Sequence, residues 1–477
     1  MARAFPRILI VLVPAMLSSG CAFKSASATD VASPAKDVPV ATPDADDPGT
    51  AGPDAVSDLP FPAGPAGDWL TQDDHAPLYL HATWSKDTGT TVSIQWQTKF
   101  VDTATYKPRV WFAREDEVKA PGDDVSLPFD ASHFAEGAGF TYLTYDDNGN
   151  QITIVQWAVD VMGLVPDTRY LYRVGTWDDF DAGAGVFTNQ NLSAVAQVRT
   201  GQTKGIRKPF SFVLAGDSRA DEGKIAANVE RLKLIDVAFW LFSGDMTEMG
   251  MQEEWFYWFD AMKPVLSRRV MMPIQGNHEM VAELYYNQFV LPGMAGLPMD
   301  WQKHGWSFDY GNTHVVGLDS NGSEAIAGQK DWLDSDLAAA DADPDITWKV
   351  VMFHHPAYSA STKHGSDSYV TPWIPILEKH HVDMVFNGHD HDYERTFPIR
   401  GDQKVGDGEG VVYVVCGAFY APGYGNGKDW WTFTSSDGGK GNYAVVDVSD
   451  NVFHVKAYSG DGTEVLDEFT LQKQVAR

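Results

Sequence analysis

The feature that most limits how this chain can fold is a series of short, continuously apolar segments in its C-terminal part. They read "PFSFVLAGD", "DVAFWLFSGD", "VMMPIQGNHE", "WKVVMFHHP" and "VDMVFNGHDH", with helical patterns such as "QEEWFYWFDAMKPVL" between them. A strand that is apolar at every position is buried on both faces, which is typical of a sheet covered by helices on both sides. The pattern therefore predicts an α/β domain that begins near Pro209 and contains one doubly covered sheet.

Each of these segments ends in residues that can bind a metal ion. In chain order they are Asp217, Asp245, Asn277 with His278, His354, and His389 with His391. A single Gly-Asp after a strand is more often a turn, and a single histidine is more often a structural polar residue. Ten of the 14 histidines, however, lie between His278 and His391. Ligands bind outside the carboxyl ends of strands in such sheets, so the sequence predicts one site there.

The charge of the chain limits its partners. The 65 acidic and 36 basic residues give a formal net charge of -29. Such a surface repels nucleic acids and anionic membranes, so we expect no nucleic-acid partner. A chain this acidic needs local positive charge to bind an anionic substrate, and metal ions would supply it.

The first 20 residues have the pattern of an export signal. Arg3 and Arg7 precede an apolar run, residues 8–17, that is too short to span a bilayer. The following "LSSGC" resembles a bacterial lipobox, which implies cleavage before Cys21 and a lipid on that thiol. We therefore expect a lipoprotein anchored to the cell envelope, at the outer membrane or in the periplasm, with the lipid as the sole membrane contact. The alternative is ordinary cleavage and secretion. A lipidated Cys21 would leave Cys416 without an intrachain disulfide partner.

The remaining predicted domains are 21–69, 70–203 and 204–477. The first is rich in Ala, Pro and Asp and is predicted to be a disordered acidic linker. The second contains alternating segments such as "TVSIQWQT" and no helical run, which predicts an antiparallel β-sandwich. Its "LVPDTRYLY" resembles the Leu-x-Pro-x-Thr-x-Tyr-x-Tyr run of fibronectin type III domains. We interpret it as a structural spacer.

The C-terminal motifs resemble those of the metallophosphoesterase superfamily. The series reads "GDSR", "GDM", "GNHE", "FHHPAY" and "GHDHDYER". With the preceding sandwich, the "HDYER" form and the segment "GWSFDYGNTHVVGLDS", the chain is most similar to the purple acid phosphatase-like branch, over about residues 76–473. The resemblance implies a multidomain protein whose catalytic domain is a four-layer αββα calcineurin-like α/β fold.

The resemblance also implies the roles of individual residues. Asp217 and His391 would bind the first metal ion, and Asp245 would bridge both ions. The second ion would be bound by Asn277, His354 and His389. These donors suit two divalent ions of Fe, Zn or Mn. Two such ions activate water as hydroxide for attack on a phosphate ester, and the two carboxylates leave the site at a charge of about +2, which matches a phosphate dianion.

Two nearby histidines have implied roles in catalysis. His278 would protonate the leaving group or bind the phosphate, and His364, in "STKHGSD", would contact the phosphate. His355 follows a metal ligand, but no role can be assigned to it, so we expect it to be a packing residue.

Two positions depart from the family pattern. Purple acid phosphatases have a tyrosine three residues after the bridging Asp, and its bond to iron gives the colour, whereas this chain has Glu248. Most other members have a histidine two residues after the first Asp, where this chain has Arg219. Glu248 either replaces the missing ligand or is a solvated loop residue. Arg219 cannot bind a metal ion, so it either binds substrate phosphate or pairs with Glu248.

The motifs predict hydrolysis of small phosphomonoesters. One alternative is a phosphodiesterase or nucleotidase with the same metal site, because the shape of the loops around the site decides between monoester and diester substrates. The other is a non-catalytic surface binding protein. Trp430 and Trp431 either stack on an aromatic leaving group or pack within the protein, and we favour packing. The sequence carries no signal for an oligomeric state.

Overall fold

The computed structural model of the protein describes residues 74–474, apart from gaps within 100–105, 119–132, 147–148, 178–191 and 220–230 and at 281. The predicted signal segment, the linker and Cys21 lie outside the described residues. In the described part of the chain, no helix is both long and apolar enough to cross a membrane.

Residues 78–199 form a β-sandwich of two four-stranded antiparallel sheets, as predicted. The strands are β1 Leu78–Thr83, β2 Thr91–Lys99, β3 Lys107–Arg114, β4 Phe134–Glu136, β5 Ala138–Tyr145, β6 Gln151–Met162, β7 Arg169–Trp177, β8 Phe180–Asp181, β9 Val186–Phe187 and β10 Ala196–Arg199. One sheet has the order β1-β2-β6-β5 and the other β10-β7-β3-β4, while β8 and β9 form a separate short pair. The hydroxyl of Tyr170, in the fibronectin-like run, accepts a hydrogen bond from the backbone of Val165 at 2.9 Å.

The strand β2 is buried on both faces. Its apolar residues, among them Trp96, belong to the hydrophobic core, and its polar residues Gln95 and Gln97 are also buried. The side-chain oxygen of Gln95 accepts from the N–H of Val290 at 2.9 Å, and the amide of Gln97 donates to Gln288 at 3.3 Å. The polar face of the strand therefore contacts the C-terminal domain, and this buried interface fixes the sandwich to it.

The C-terminal domain contains two larger sheets. Its strands are β11 Phe210–Ala215, β12 Phe239–Phe242, β13 Val270–Pro273, β14 Gly305–Tyr310, β15 Thr313–Leu318, β16 Trp348–Met352, β17 Met384–Asn387, β18 Asp392–Thr396, β19 Ile399–Arg400, β20 Gln403–Lys404, β21 Val412–Cys416, β22 Thr432–Asp437, β23 Asn442–Val448, β24 Val452–Ser459 and β25 Val465–Gln472. One sheet has the order β13-β12-β11-β23-β24-β25 and the other β14-β15-β16-β17-β21-β18-β22. The last three strands are antiparallel, as their alternating sequence predicts.

The described α-helices lie in the C-terminal domain. They are α1 Gln252–Leu266, α2 Ala282–Gln288, α3 Met299–Gln302, α4 Ser323–Ala342 and α5 Ile374–Lys379, with 3-10 helices at Ser368–Trp373 and Gly438–Lys440. The helix α1 coincides with the segment predicted to be helical. Its Glu254 accepts from the backbone N–H of Met251 at 2.9 Å, which satisfies a donor at the start of the helix.

The prediction of one doubly covered sheet is wrong, because the apolar strands are divided between two sheets packed face to face. Phe212 of the first sheet meets Phe386 of the second with ring centroids 6.3 Å apart, and Phe453 meets Trp348 at 5.4 Å. The outer faces pack against helices, with α1 on the first sheet and α4 and α5 on the second. A strand between another sheet and a helix is buried on both faces, so its sequence looks like that of a strand between two helices. The fold is the four-layer αββα arrangement that the resemblance implied.

Candidate metal centre

The candidate site lies where parallel strands of the two sheets end. Asp217, Asp245 and Asn277 follow β11, β12 and β13, which are parallel neighbours in the first sheet. His354 and His389 follow β16 and β17, which are parallel neighbours in the second. The two sheets present these ends side by side, so residues from both contribute to one site.

The backbone around the site is strained and closely packed. Asp217, Asp245 and His389 have φ angles of 58°, 54° and 72°, in the left-handed region that residues with a β-carbon seldom adopt. A β-carbon at Gly276 would lie 2.1 Å from Oδ1 of Asp245, and one at Gly388 would lie 2.3 Å from Oδ2 of Asp217. The glycines of "GNHE" and "GHDH" are therefore needed because the backbone passes directly against the two carboxylates.

One group of donor atoms contains Asp217, Asp245 and His391, whose ligand atoms lie within 4.8 Å of one another. Nδ1 of His391 donates to the carbonyl of Pro422 at 2.7 Å, so Nε2 faces the carboxylates and lies 3.7 Å from Oδ1 of Asp217. Oδ2 of Asp217 is buried and makes no hydrogen bond with any described residue. A buried carboxylate oxygen without a hydrogen-bond donor fits a bound cation.

The second group of donor atoms is centred on Asn277. Its Oδ1 lies 2.9 Å from Nε2 of His354 and 3.0 Å from Nδ1 of His389. Adjacent donors around an ion with bonds of about 2.1 Å lie roughly 3 Å apart, so this spacing also fits a metal ion. Nε2 of His354 lies 3.2 Å from Oδ1 of Asp245, which places Asp245 between the two groups, as expected of a bridging ligand.

Protonation in the site follows from burial and from the two carboxylates. Burial lowers the pKa of His389 and His391 well below the usual value, so both are neutral, which is the form that binds metal ions. Burial raises the pKa of Asp217, and the charge of Asp245 adds to this effect. Burial also acts to raise the pKa of Asp245, but His354, His278 and Arg219 outweigh it and hold that pKa well below the usual value.

The structure adds His355 to the site, which the sequence did not assign. A ring nitrogen of His355 lies within 4.8 Å of the ligand atoms of His354 and His389. Its Nδ1 also lies 2.8 Å from the hydroxyl of Ser320, in the segment that follows β15. Its position next to His354 was the only sequence signal.

Glu279, the last residue of "GNHE", is a second residue without a predicted role. It is fully buried, and its carboxylate accepts from the backbone N–H groups of Asp245 at 2.9 Å, Gly276 at 2.8 Å and Thr247 at 3.0 Å. It therefore joins the loops after β12 and β13 and positions the ligands on them.

The two departures from the family pattern contact each other. Nη1 of Arg219 lies 3.2 Å from Oε2 of Glu248, so Arg219 makes the pairing that was one of its two predicted alternatives. Nη1 also approaches Nδ1 of His278 at 2.8 Å, and that Nδ1 is 2.6 Å from the carbonyl of Glu248. Glu248 belongs to neither donor group among the described residues. Burial lowers the pKa of His278, and the charge of Arg219 lowers it further.

The open edge of the site is formed by the loops after β16 and β21. The ring of His364 lies 4.5 Å from that of His389, so the structure brings this predicted residue to the site. Tyr424 stacks on His391 at 4.0 Å, and its hydroxyl is 3.1 Å from Nζ of Lys363. In the adjoining loop Trp431 packs edge-on against Tyr358, whereas Trp430 is 44% exposed. Neither Lys363 nor Tyr424 was predicted to be part of the site.

Two family profiles match the chain. Residues 77–200 match the N-terminal domain of purple acid phosphatases, and residues 210–393 match the calcineurin-like phosphoesterases. These segments correspond to the sandwich and to the part of the two-sheet domain that carries the candidate site.

Several known proteins are similar to the chain over part of its length. An uncharacterized protein of Mycobacterium tuberculosis is 28% identical over 281 residues, covering 50% of this chain and 50% of that protein. Purple acid phosphatase 18 of Arabidopsis thaliana is 27% identical over 292 residues, covering 59% of this chain and 60% of that protein. The chain thus spans about half to three fifths of the length of these relatives.

Solved structures share the fold. Purple acid phosphatase PPD1 from yellow lupin seeds aligns with a TM-score of 0.64 at 16% identity, covering 83% of this chain and 74% of that one. PhoD aligns with a TM-score of 0.54 at 12% identity, covering 85% of this chain and 95% of that one. At these identities the likeness shows that the fold is shared and says nothing about the substrate.

Proposed function

We propose, on the premise that this chain belongs to the calcineurin-like metallophosphoesterases with a purple acid phosphatase N-terminal domain, that it hydrolyses small phosphomonoesters at the cell envelope. The family uses a binuclear metal centre, and the observation that supports the proposal is the pair of adjoining donor groups with Asp245 between them. Asp217 and His391 would hold one ion, and the other would be held by Asn277, His354 and His389. When bound, the ions would supply Lewis acidity to water and to the phosphate oxygens.

The remaining residues of the site would bind the phosphate and move protons. The Nδ1–H of His278 donates to the carbonyl of Glu248, which orients the ring beside the donor groups. The negative charge of a bound phosphate would favour protonation of the ring at Nε2 as well, and the charged His278 would then protonate the leaving oxygen or hold a phosphate oxygen. His364, beside His389 on the open edge, would contact the phosphate from the opposite loop.

The charge at the open edge favours a monoester. Lys363 is held over the ring of Tyr424, with Nζ 4.2 Å from the ring centroid, and Tyr424 in turn stacks on His391. Lys363 and the ions would present several positive charges to the substrate. A monoester carries two negative charges near neutral pH and a diester carries one, so this edge is better matched to the monoester.

The test is the metal content of the purified protein, measured together with hydrolysis of p-nitrophenyl phosphate and of its bis ester. We expect about two ions per chain, faster hydrolysis of the monoester, and loss of activity in Asp245→Asn. Asp236→Asn is the matched control, because Asp236 pairs with Arg169 at the surface and its side chain is 65% exposed. Faster hydrolysis of the bis ester would make the chain a phosphodiesterase. Absence of turnover after reconstitution with Mn, Zn or Fe would favour a surface binding protein.

The envelope location has its own test. We infer it from the signal-like N-terminus and from Cys21, both outside the described residues. The wild-type protein should pellet with membranes and take up a labelled fatty acid, whereas Cys21→Ala should do neither. A wild-type protein that is released without label would instead be secreted.

A further inference from the structure

Arg219 lies among the donor atoms of the first metal position. Its side chain is 8% exposed, its Nε is 3.2 Å from Oδ2 of Asp245, and its Nη2 is 3.3 Å from Nε2 of His391. Because Nδ1 of His391 donates to Pro422, Nε2 is the nitrogen of this ring that remains for a metal ion. The guanidinium and an ion at this position therefore use the same two atoms.

Among the described residues, the contacts of the second metal position include no such competitor. Nε2 of His354 faces Oδ1 of Asn277 at 2.9 Å and Oδ1 of Asp245 at 3.2 Å, while its Nδ1 donates to the carbonyl of Ser243 at 2.7 Å. His389 likewise meets Oδ1 of Asn277 at 3.0 Å. Nε2 of His354 and Oδ1 of Asn277 thus face other donor atoms, and these donors already have the spacing that an ion requires.

Two features keep Arg219 in place. Glu248 pairs with its Nη1 at 3.2 Å, and both side chains are largely buried, so separating the two charges would be costly. The backbone of Arg219 has a φ of 52°. This conformation is costly for a residue with a β-carbon, so it persists only because the surrounding structure holds it there. A strained and buried arginine beside two carboxylates serves as a built-in cation for them.

We propose that Arg219 makes the two metal positions unequal. One ion binds tightly at Asn277, His354 and His389, and the other binds weakly at Asp217, Asp245 and His391, where it must displace the guanidinium. This inference rests on the proposed metal-dependent function and adds a form of regulation to it, because occupancy of the weak position, and with it activity, follows the concentration of free metal.

The test is a calorimetric titration of the metal-free full-length protein with Co²⁺, in parallel with the visible absorption of the bound ion. We expect two phases whose dissociation constants differ by at least about tenfold. Arg219→Gly, which also suits the positive φ, should tighten the weak phase by at least about tenfold and leave the tight phase unchanged. Arg219→Gln, neutral and of similar length, should do the same if the glycine variant fails to fold.

Two further variants make the assignment falsifiable. His389→Ala should abolish the tight phase and keep the weak one. Lys363→Ala removes a cation at the edge of the site whose Nζ contacts Tyr424, so both phases should remain. Two equal phases in the wild type, or equal tightening by Lys363→Ala and Arg219→Gly, would overturn the inference. Because binding is measured without substrate, unequal phases without hydrolysis would overturn only the proposed function, and equal phases with hydrolysis only the inference.

Discussion

Nη1 of Arg219 lies 3.2 Å from Oε2 of Glu248, so the two residues at which this chain departs from the motifs that it resembles form an ion pair with each other. The side chains are 8% and 14% exposed. Glu248 without Arg219 would bury a carboxylate that lacks this ion pair, which is costly, so we understand the two departures as one joint replacement. Glu248 is thereby engaged with Arg219, and the first metal position keeps neither of the family's usual additional ligands.

The absence of a tyrosine at position 248 predicts the colour and the pH dependence of the protein. Without tyrosinate, ferric iron is less favoured and the site should hold two divalent ions. Water on divalent zinc titrates near ~7, so hydrolysis should be fastest near neutral or alkaline pH, and the protein should be colourless. A visible spectrum and a pH–rate profile of the purified protein check both points. A purple preparation, or a maximum near about pH 5, would contradict the prediction.

His278→Gln should affect substrates according to their leaving group. If His278 protonates the leaving oxygen, its loss should slow hydrolysis of an alkyl phosphate by roughly 10²–10⁴-fold, and hydrolysis of p-nitrophenyl phosphate far less. The measurement is kcat/KM for both substrates. His454→Gln is the control, since His454 lies in β24, outside the site, and is partly exposed. An equal loss for both substrates would show that His278 binds the phosphate instead.

Glu279→Gln should weaken metal binding without unfolding the protein. The carboxylate accepts three backbone N–H groups, and an amide would turn an NH₂ group toward one of these donors. The loops that carry Asp245 and Asn277 should then shift, and metal affinity should fall roughly 10–100-fold. Metal titration and thermal unfolding check this, with exposed Glu283→Gln as the control. An unchanged metal affinity with a large drop in melting temperature would make the role of Glu279 purely structural.

The contacts of His314, in β15, predict a pH dependence of the stability of the protein. Its ring nitrogens donate to Oδ1 of Asp309 at 2.7 Å and to Oδ2 of Asp336 at 2.9 Å. Burial opposes the charged ring, but the two aspartates outweigh it and raise the pKa of His314 from 6.5 to about 9. This stabilisation is therefore complete below the unfolded pKa of 6.5 and is lost as the pH rises through about 9.

The difference in unfolding free energy between wild type and His314→Gln measures this contribution. It should shrink by on the order of 3 kcal/mol between about pH 6 and about pH 9.5 in urea titrations. A difference that stays constant over this range would mean that His314 is neutral in the folded protein.

Local sequence patterns were enough to predict much of this protein. Apolar periodicity predicts the helix α1 and the strands β11, β12, β16 and β17. Each is a continuous segment, and the apolar residues within it are enough to indicate which of its faces are buried. The candidate donors could be predicted for the same reason. Each stands directly after a strand, and the end of a strand is a local property of the chain.

Only the tertiary structure decided which segments distant in sequence contact each other. The sequence of an apolar strand does not indicate whether a helix or a second sheet covers it. The division of the strands between two sheets therefore depends on tertiary packing. In the same way, His355 and Glu279 acquired their roles from loops that meet in space. The pairing of Arg219 with Glu248 depends on side chains 29 positions apart that two neighbouring strand ends bring together. Periodicity specifies which face of a segment is buried, and the identity of the partner depends on long-range contacts that no local pattern contains.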